Sequence, residues 1–137
     1  MRTAIDTNVI SSIWSGEPSA AQSAARLGTA QLAGGLVISP IVFAELHAYP
    51  GANSEFVVNF LKATGIMVDF RLEEAVWAET GQRFARYATR RRQSAGAGPR
   101  RLVADFLIGA HALVQADRLF TLDAKVYAQD FLEIQLF

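Results

Sequence analysis

The sequence predicts an α/β fold: a three-layer α/β/α sandwich around a mostly parallel central sheet of about five strands. Three observations lead there. Short apolar runs rich in Ile and Val alternate with longer helical stretches, the pattern of βαβ units. Gly, Pro, Ser and Asn stand at the joints between them, where chain reversals need their backbone chemistry. The chain has 137 residues, 51% of them hydrophobic, which is enough for one sizeable core and too little for two ordinary domains. Residues 1–137 are therefore read as a single domain without internal repeats.

Arg2 to Ile5 reads as a short buried strand ending at Asp6. Thr7 and Asn8 open a helical stretch that continues from Val9 to Trp14 and breaks at Gly16 to Pro18. Ser19 caps an alanine-rich helix running to about Ala33, stopped by Gly34 and Gly35. Leu36 to Ile38 is the second strand. Ser39-Pro40 starts a helix, with serine at the cap and proline in the first turn. It carries Phe43, Glu45 and Leu46 and ends before Pro50-Gly51. Ser54 begins a further helix closed by Gly65, and Ile66 to Val68 is the third strand. A long amphipathic helix starts near Leu72 and runs into an arginine cluster. Ser94 to Pro99 is the one segment whose composition predicts flexibility. Leu102 to Gln115 is helical, Leu119 to Thr121 a strand, Lys125 to Gln129 a short helix and Ile134 to Phe137 a terminal strand.

Bulk properties narrow the function classes. Formal net charge is +0, so no global field steers the chain toward nucleic acid. The charge is nevertheless uneven. No acid occurs between Thr80 and Val103, while Arg83, Arg86, Arg90, Arg91, Arg92, Arg100 and Arg101 crowd together. The absence of cysteine excludes disulfides, thiolate zinc sites and thiol nucleophiles, and fits a reducing cytosol. No basic-then-apolar leader opens the sequence and no apolar run is long enough for a membrane span. The expectation is a soluble cytoplasmic protein with no membrane partner. Only 19% of residues are charged, which points either to apolar surface covered by a partner or simply to a well-packed α/β core.

Four acids carry the chemistry. Asp6 and Asp123 follow predicted strand ends, and Glu45 and Asp105 lie on helices able to face the same crevice beyond the carboxyl ends of the strands. Two carboxylates about 4 Å apart repel by about 4 kcal/mol at an effective dielectric of about 20. A cluster of them therefore needs protons or a divalent cation. Oxygen-only ligands favour Mg²⁺ or Mn²⁺ over Zn²⁺. Such an ion keeps several waters, activates one for attack on phosphorus and offsets the charge of the phosphate. Asn8 and Thr121 are placed to orient a ligand or hydrogen-bond a bound water. Each acid also has a plainer reading: Asp6 and Asp123 as helix caps, and Asp105 as a first-turn acid complementing the helix dipole. Glu45 resists it, because Val42, Phe43 and Leu46 surround it. His47 and His111 are expected to pack or hydrogen-bond on helix flanks, and Asp117 and Asp130 to be solvated surface or cap positions. Arg90, Arg91, Arg92, Arg100 and Arg101 are expected to track nucleic-acid phosphates as a clamp bordering the site. Their plainer reading is a solvated helix end.

The stretches Ile5-Asp6-Thr7-Asn8-Val9, Ala44-Glu45-Leu46, Ala104 to Ala112 and Thr121-Leu122-Asp123 resemble the PIN-domain nucleases, and most nearly the VapC-type toxins of bacterial and archaeal toxin–antitoxin pairs. The spacing of Tyr127, Phe131 and Ile134 after Asp123 is similar as well. The resemblance implies an endoribonuclease dependent on Mg²⁺ or Mn²⁺, with Asp6, Glu45, Asp105 and Asp123 as its acids. It also implies a homodimer, a cognate antitoxin inserting near the active site, and structured RNA such as tRNA as substrate. Lys125 departs from the family pattern, where many relatives carry another acid or an arginine-glycine pair, so the reading commits to one ion and leaves a second open.

Two other functions compete. An aspartyl-phosphate phosphatase would use Asp6 as nucleophile, but it needs a second acid two residues on, where Asn8 stands. A non-catalytic RNA- or protein-binding module of the same fold would gain nothing from keeping all four acids.

Overall fold

A computed structural model describes residues 1–98 and 100–137. The sequence-predicted flexible segment therefore falls partly outside the described residues, at Pro99.

The elements follow in the order β1 (Thr3–Ile5), α1 (Thr7–Trp14), α2 (Ala20–Gly34), β2 (Leu36–Ile38), α3 (Pro40–Leu46), α4 (Ser54–Thr64), β3 (Ile66–Val68), α5 (Glu74–Gln93), α6 (Val103–Gln115), β4 (Arg118–Phe120) and α7 (Ala124–Asp130). Local chemistry sets several boundaries. The Ser39 hydroxyl accepts from the Val42 N–H while Pro40 fills the first turn of α3, and Asn53 Oδ1 accepts from the Phe56 N–H at 2.8 Å to start α4. Gly65 ends α4 in the left-handed region at φ 70°, where a side chain would be strained.

All strand pairs are parallel, in the order β3-β2-β1-β4. The chain moves outward from β1 to β2 to β3 and then returns across the sheet to β4. Right-handed crossovers place α1 to α4 on one face and α5 and α6 on the other. Contacts agree: α2 packs on β1 and β2, and α6 on β1 and β4. Between these layers lies a core of Ile5, Val9, Ile10, Val37, Ile38, Val42, Phe106, Leu119 and Phe120, all essentially inaccessible to water.

The terminal strand predicted at 134–137 is corrected. Among the described residues the sheet has four strands, and this segment makes one parallel bridge, Leu119 to Leu136. Leu119 N–H donates to Gln135 O at 2.9 Å and Phe137 N–H to Leu119 O at 2.8 Å. Phe137 instead packs its ring on Phe120 and beneath Arg118, covering the free edge of β4.

The reversal in strand order falls at β1 and β4. In an open parallel sheet the crevice at such a reversal, beyond the carboxyl ends, is where ligands bind. The residues that follow β1 and β4 are Asp6 and Thr121.

Candidate active site

Asp6 extends the β1–β4 ladder by one bond, its N–H donating to Phe120 O at 2.9 Å. Its side chain is buried and makes no capping bond to α1, so the plain cap reading does not describe it. Instead Oδ2 accepts from the Thr121 hydroxyl at 2.8 Å and the Tyr127 hydroxyl at 3.0 Å. Burial raises the Asp6 pKa above its ordinary 3.8 and the charge of Glu45 adds to the rise, against the hydrogen bonds from Thr121, Tyr127 and the Thr7 backbone. Asp6 thus carries a charge that its surroundings only partly repay.

A cleft of about 440 Å³ opens beside it. Asp6, Glu45, Asp105 and Asp123 all line it, together with Thr7, Asn8, Tyr127, Arg100 and Arg101. Four acids from β1, α3, α6 and the β4–α7 turn therefore face one space. Glu45 is half-buried and its Oε1 accepts from the Thr7 hydroxyl at 2.7 Å. Asp105, one-third exposed, uses Oδ2 to accept from the Leu102 N–H at 3.2 Å at the start of α6. Its helix-terminal reading is thus part of its role and leaves Oδ1 toward other partners. Asp123 is exposed and makes no side-chain cap to α7.

Asn8 and Thr121 hold the turn that carries Asp123. Thr121 Oγ1 accepts from the Asp123 N–H at 3.0 Å, and Asn8 Oδ1 from the Leu122 N–H at 3.1 Å. Asn8 Nδ2 reaches Thr121 Oγ1 at 3.4 Å. One hydroxyl therefore ties Asp6 to the Asp123 turn.

The acids supply only oxygen donors, which suits a small hard cation. Among the described residues no three Asp, Glu or His side chains stand close enough to enclose an ion directly. That spacing still fits Mg²⁺ or Mn²⁺. Such ions keep most of their waters and take one or two carboxylates, the others being reached through water.

The five arginines of the predicted clamp divide. Arg92 and Arg100 are exposed, and Arg91 donates to Gly98 O at 2.9 Å. Arg90 and Arg101 are both bound to Asp130. Asp130, read from sequence as solvated, is buried instead, because two guanidinium groups satisfy its oxygens. His111 conforms to its structural reading: its ring is buried and meets Asp69 Oδ2 at 2.8 Å, where burial lowers its pKa despite that partner. Thr7 and Tyr127 are the residues that sequence reasoning left without a site role. Tyr127 carried a signal, since it follows Asp123 by one helical turn and so faces the same side. Thr7 sits next to Asp6, but its reach to Glu45 depends on how α3 packs.

Comparison with known proteins bears on the fold and the family. None of the curated proteins matches the chain in sequence. Among solved structures, VapBC-1 from nontypeable Haemophilus influenzae matches with a TM-score of 0.64 at 21% identity, covering 100% of this chain and 97% of that one. VapBC2 from Rickettsia felis, bound to a DNA fragment from its promoter, matches with a TM-score of 0.66 at 19% identity, covering 100% and 98%. At such identities the likeness is one of fold. The family model of the PIN domain matches residues 3–132, the whole span from β1 through α7, and this chain belongs to the PIN-domain family.

Proposed function

We propose that the chain is a metal-dependent endoribonuclease and the toxin of a toxin–antitoxin pair, acting as one PIN domain over residues 1–137. The observation that carries this reading is the meeting of Asp6, Glu45, Asp105 and Asp123 in one cleft at the strand-order reversal. Those four would hold Mg²⁺ or Mn²⁺, directly or through water. When bound, the ion supplies charge neutralisation at the phosphodiester and lowers the pKa of an attacking water. The chain's own contribution is orientation. Thr121 and Tyr127 hold Asp6, Thr7 holds Glu45, and Asn8 fixes the Asp123 turn. The exposed Arg92 and Arg100 supply attraction to RNA, tRNA among the expected substrates, that four acids cannot.

The matched VapBC structures support an antitoxin as partner. A second copy of the chain is the proposed cover for the exposed Phe70 and Trp77, which with Pro40, Ile41, Leu72 and Leu107 line an apolar depression. Among the described residues no helix is long and apolar enough to cross a membrane, and the proposed compartment is the cytoplasm.

The test uses end-labelled RNA with Mg²⁺. The wild type should cut it, and Asp6→Asn should cut at least about a hundredfold more slowly, the scale of losing one electrostatic contributor. Unchanged cutting by Asp6→Asn rejects the assignment. Binding without cutting by the wild type favours a non-catalytic RNA-binding module.

A further inference from the structure

Arg101 is not the mobile surface cation that a clamp would use. Its side chain is only 8% exposed, and its guanidinium lies over the Phe106 ring at 4.3 Å from the centroid. Nη1 bonds Asp130 Oδ2, while the other oxygen of that buried carboxylate takes Arg90 Nη2 at 2.5 Å. One carboxylate is shared by two guanidinium groups, and this fixes one end of the Arg101 group.

The other end, Nε and Nη2, has no hydrogen-bond partner among the described residues, and both atoms are buried side-chain donors. Asp105 Oδ2 is 3.9 Å from Nε, beyond hydrogen-bonding distance. Nε and Nη2 form the edge of a guanidinium that grips two oxygens of a carboxylate or phosphate side by side. Leaving such donors buried and unpaired is unfavourable unless a ligand completes them. Arg101 lines the cleft that holds the four acids. An anion seated on its free edge therefore lies next to them.

We propose that Arg101 is a phosphate-binding residue of this cleft. Asp130 holds its Nη1, and Nε and Nη2 receive the non-bridging oxygens of the phosphodiester to be cut. The inference rests on the nuclease reading and adds a residue to it. A polyanion is favoured over an acidic peptide because Arg91, Arg92 and Arg100 border the neighbouring cavity that Arg101 also lines. In the transition state the fork would stabilise charge growing on the phosphoryl oxygens, a role that a point charge cannot fill.

The experiment compares Arg101→Lys, Arg101→Ala, Asp130→Asn and Arg92→Ala on one labelled oligoribonucleotide, with kcat and KM separated and melting curves confirming that each folds. Arg101→Lys keeps the charge and loses the fork. It should lower kcat about a hundredfold and raise KM up to about tenfold, because the fork grips the phosphate before as well as in the transition state. Asp130→Asn should also lower kcat, by loosening the guanidinium. Arg92→Ala should act on KM and on the salt dependence alone. Added guanidinium ion at non-denaturing concentration should partly restore Arg101→Ala, which a purely structural role would not allow. Wild-type kcat in Arg101→Lys overturns the proposal, as does a loss confined to KM. Binding of the same RNA in the Asp6→Asn background separates this proposal from the nuclease reading. If the wild type never cuts but Arg101→Lys weakens that binding tenfold or so, the phosphate site stands without the nuclease. If binding is unchanged as well, both fall.

Discussion

Asp6 concentrates the conflict between stability and function. Its raised pKa, caused mainly by burial, means that the folded chain holds the proton more tightly than the unfolded one. The associated stability is full below the ordinary value of 3.8 and is lost as pH rises through the folded value. Without metal, Asp6→Asn should therefore melt several degrees above the wild type at neutral pH. The gap should close as the buffer is acidified toward pH ~4, a check made by calorimetry across pH. An unchanging gap would mean that ionisation of Asp6 is not the cost. Tyr127→Phe removes one donor from Asp6 Oδ2. It should cost about 1 kcal/mol and push the Asp6 pKa further up, moving the acid limb of the pH–rate profile to higher pH. The candidate acids were legible in the sequence because each sits at a strand end or inside an apolar helix, where an unpaired carboxylate needs a reason. The partners of Asp130 were not legible, because Arg90 and Arg101 reach it across 40 and 29 residues of sequence.

Among the elements, α6 and the C-terminal segment fit closely. A Cβ on Gly109 would lie 2.5 Å from Phe131 Cζ. Gly109→Ala should therefore destabilise the fold by about 1–3 kcal/mol in denaturant titration, the usual cost of overpacking, despite alanine's better helix propensity. Arg83 on α5 ties down the same segment. It donates to Glu133 and to Asp130 O, with its guanidinium over the Phe131 ring. The hydrogen bonds from Arg83, with its charge adding to them, hold Glu133 well below the usual carboxylate range, at about 2. Because the Glu133 carboxylate is largely solvent-exposed, screening keeps its stabilising share small. That share is present above the ordinary value and is lost as pH falls toward 2. Most elements were readable from caps and periodicity: Ser39-Pro40, Gly34-Gly35 and Gly65 each mark a boundary in the expected place. The terminal strand was not, because a short, mostly apolar segment looks alike in sequence whether it pairs fully or bridges once.

For the whole molecule, topology does what no single residue can. The return of the chain from β3 across to β4 brings Asp123 beside Asp6, residues separated by most of the sequence. Nothing local predicts that meeting, although the alternation of strands and helices predicts the kind of sheet that permits it. The exposed Trp77, 56% accessible, should matter only in assembly. Trp77→Glu should leave the melting temperature of dilute protein nearly unchanged and abolish the proposed dimer in sedimentation, and an unchanged mass would count against a dimer through this face. The central claim is that acids from four segments make one site for one ion. Calorimetric titration of Mn²⁺ into the wild type and into Asp6→Asn, Glu45→Gln, Asp105→Asn and Asp123→Asn tests it most directly. A single ion per chain, bound more weakly in every one of the four variants, is the predicted result; wild-type affinity in Glu45→Gln or Asp123→Asn would contradict it.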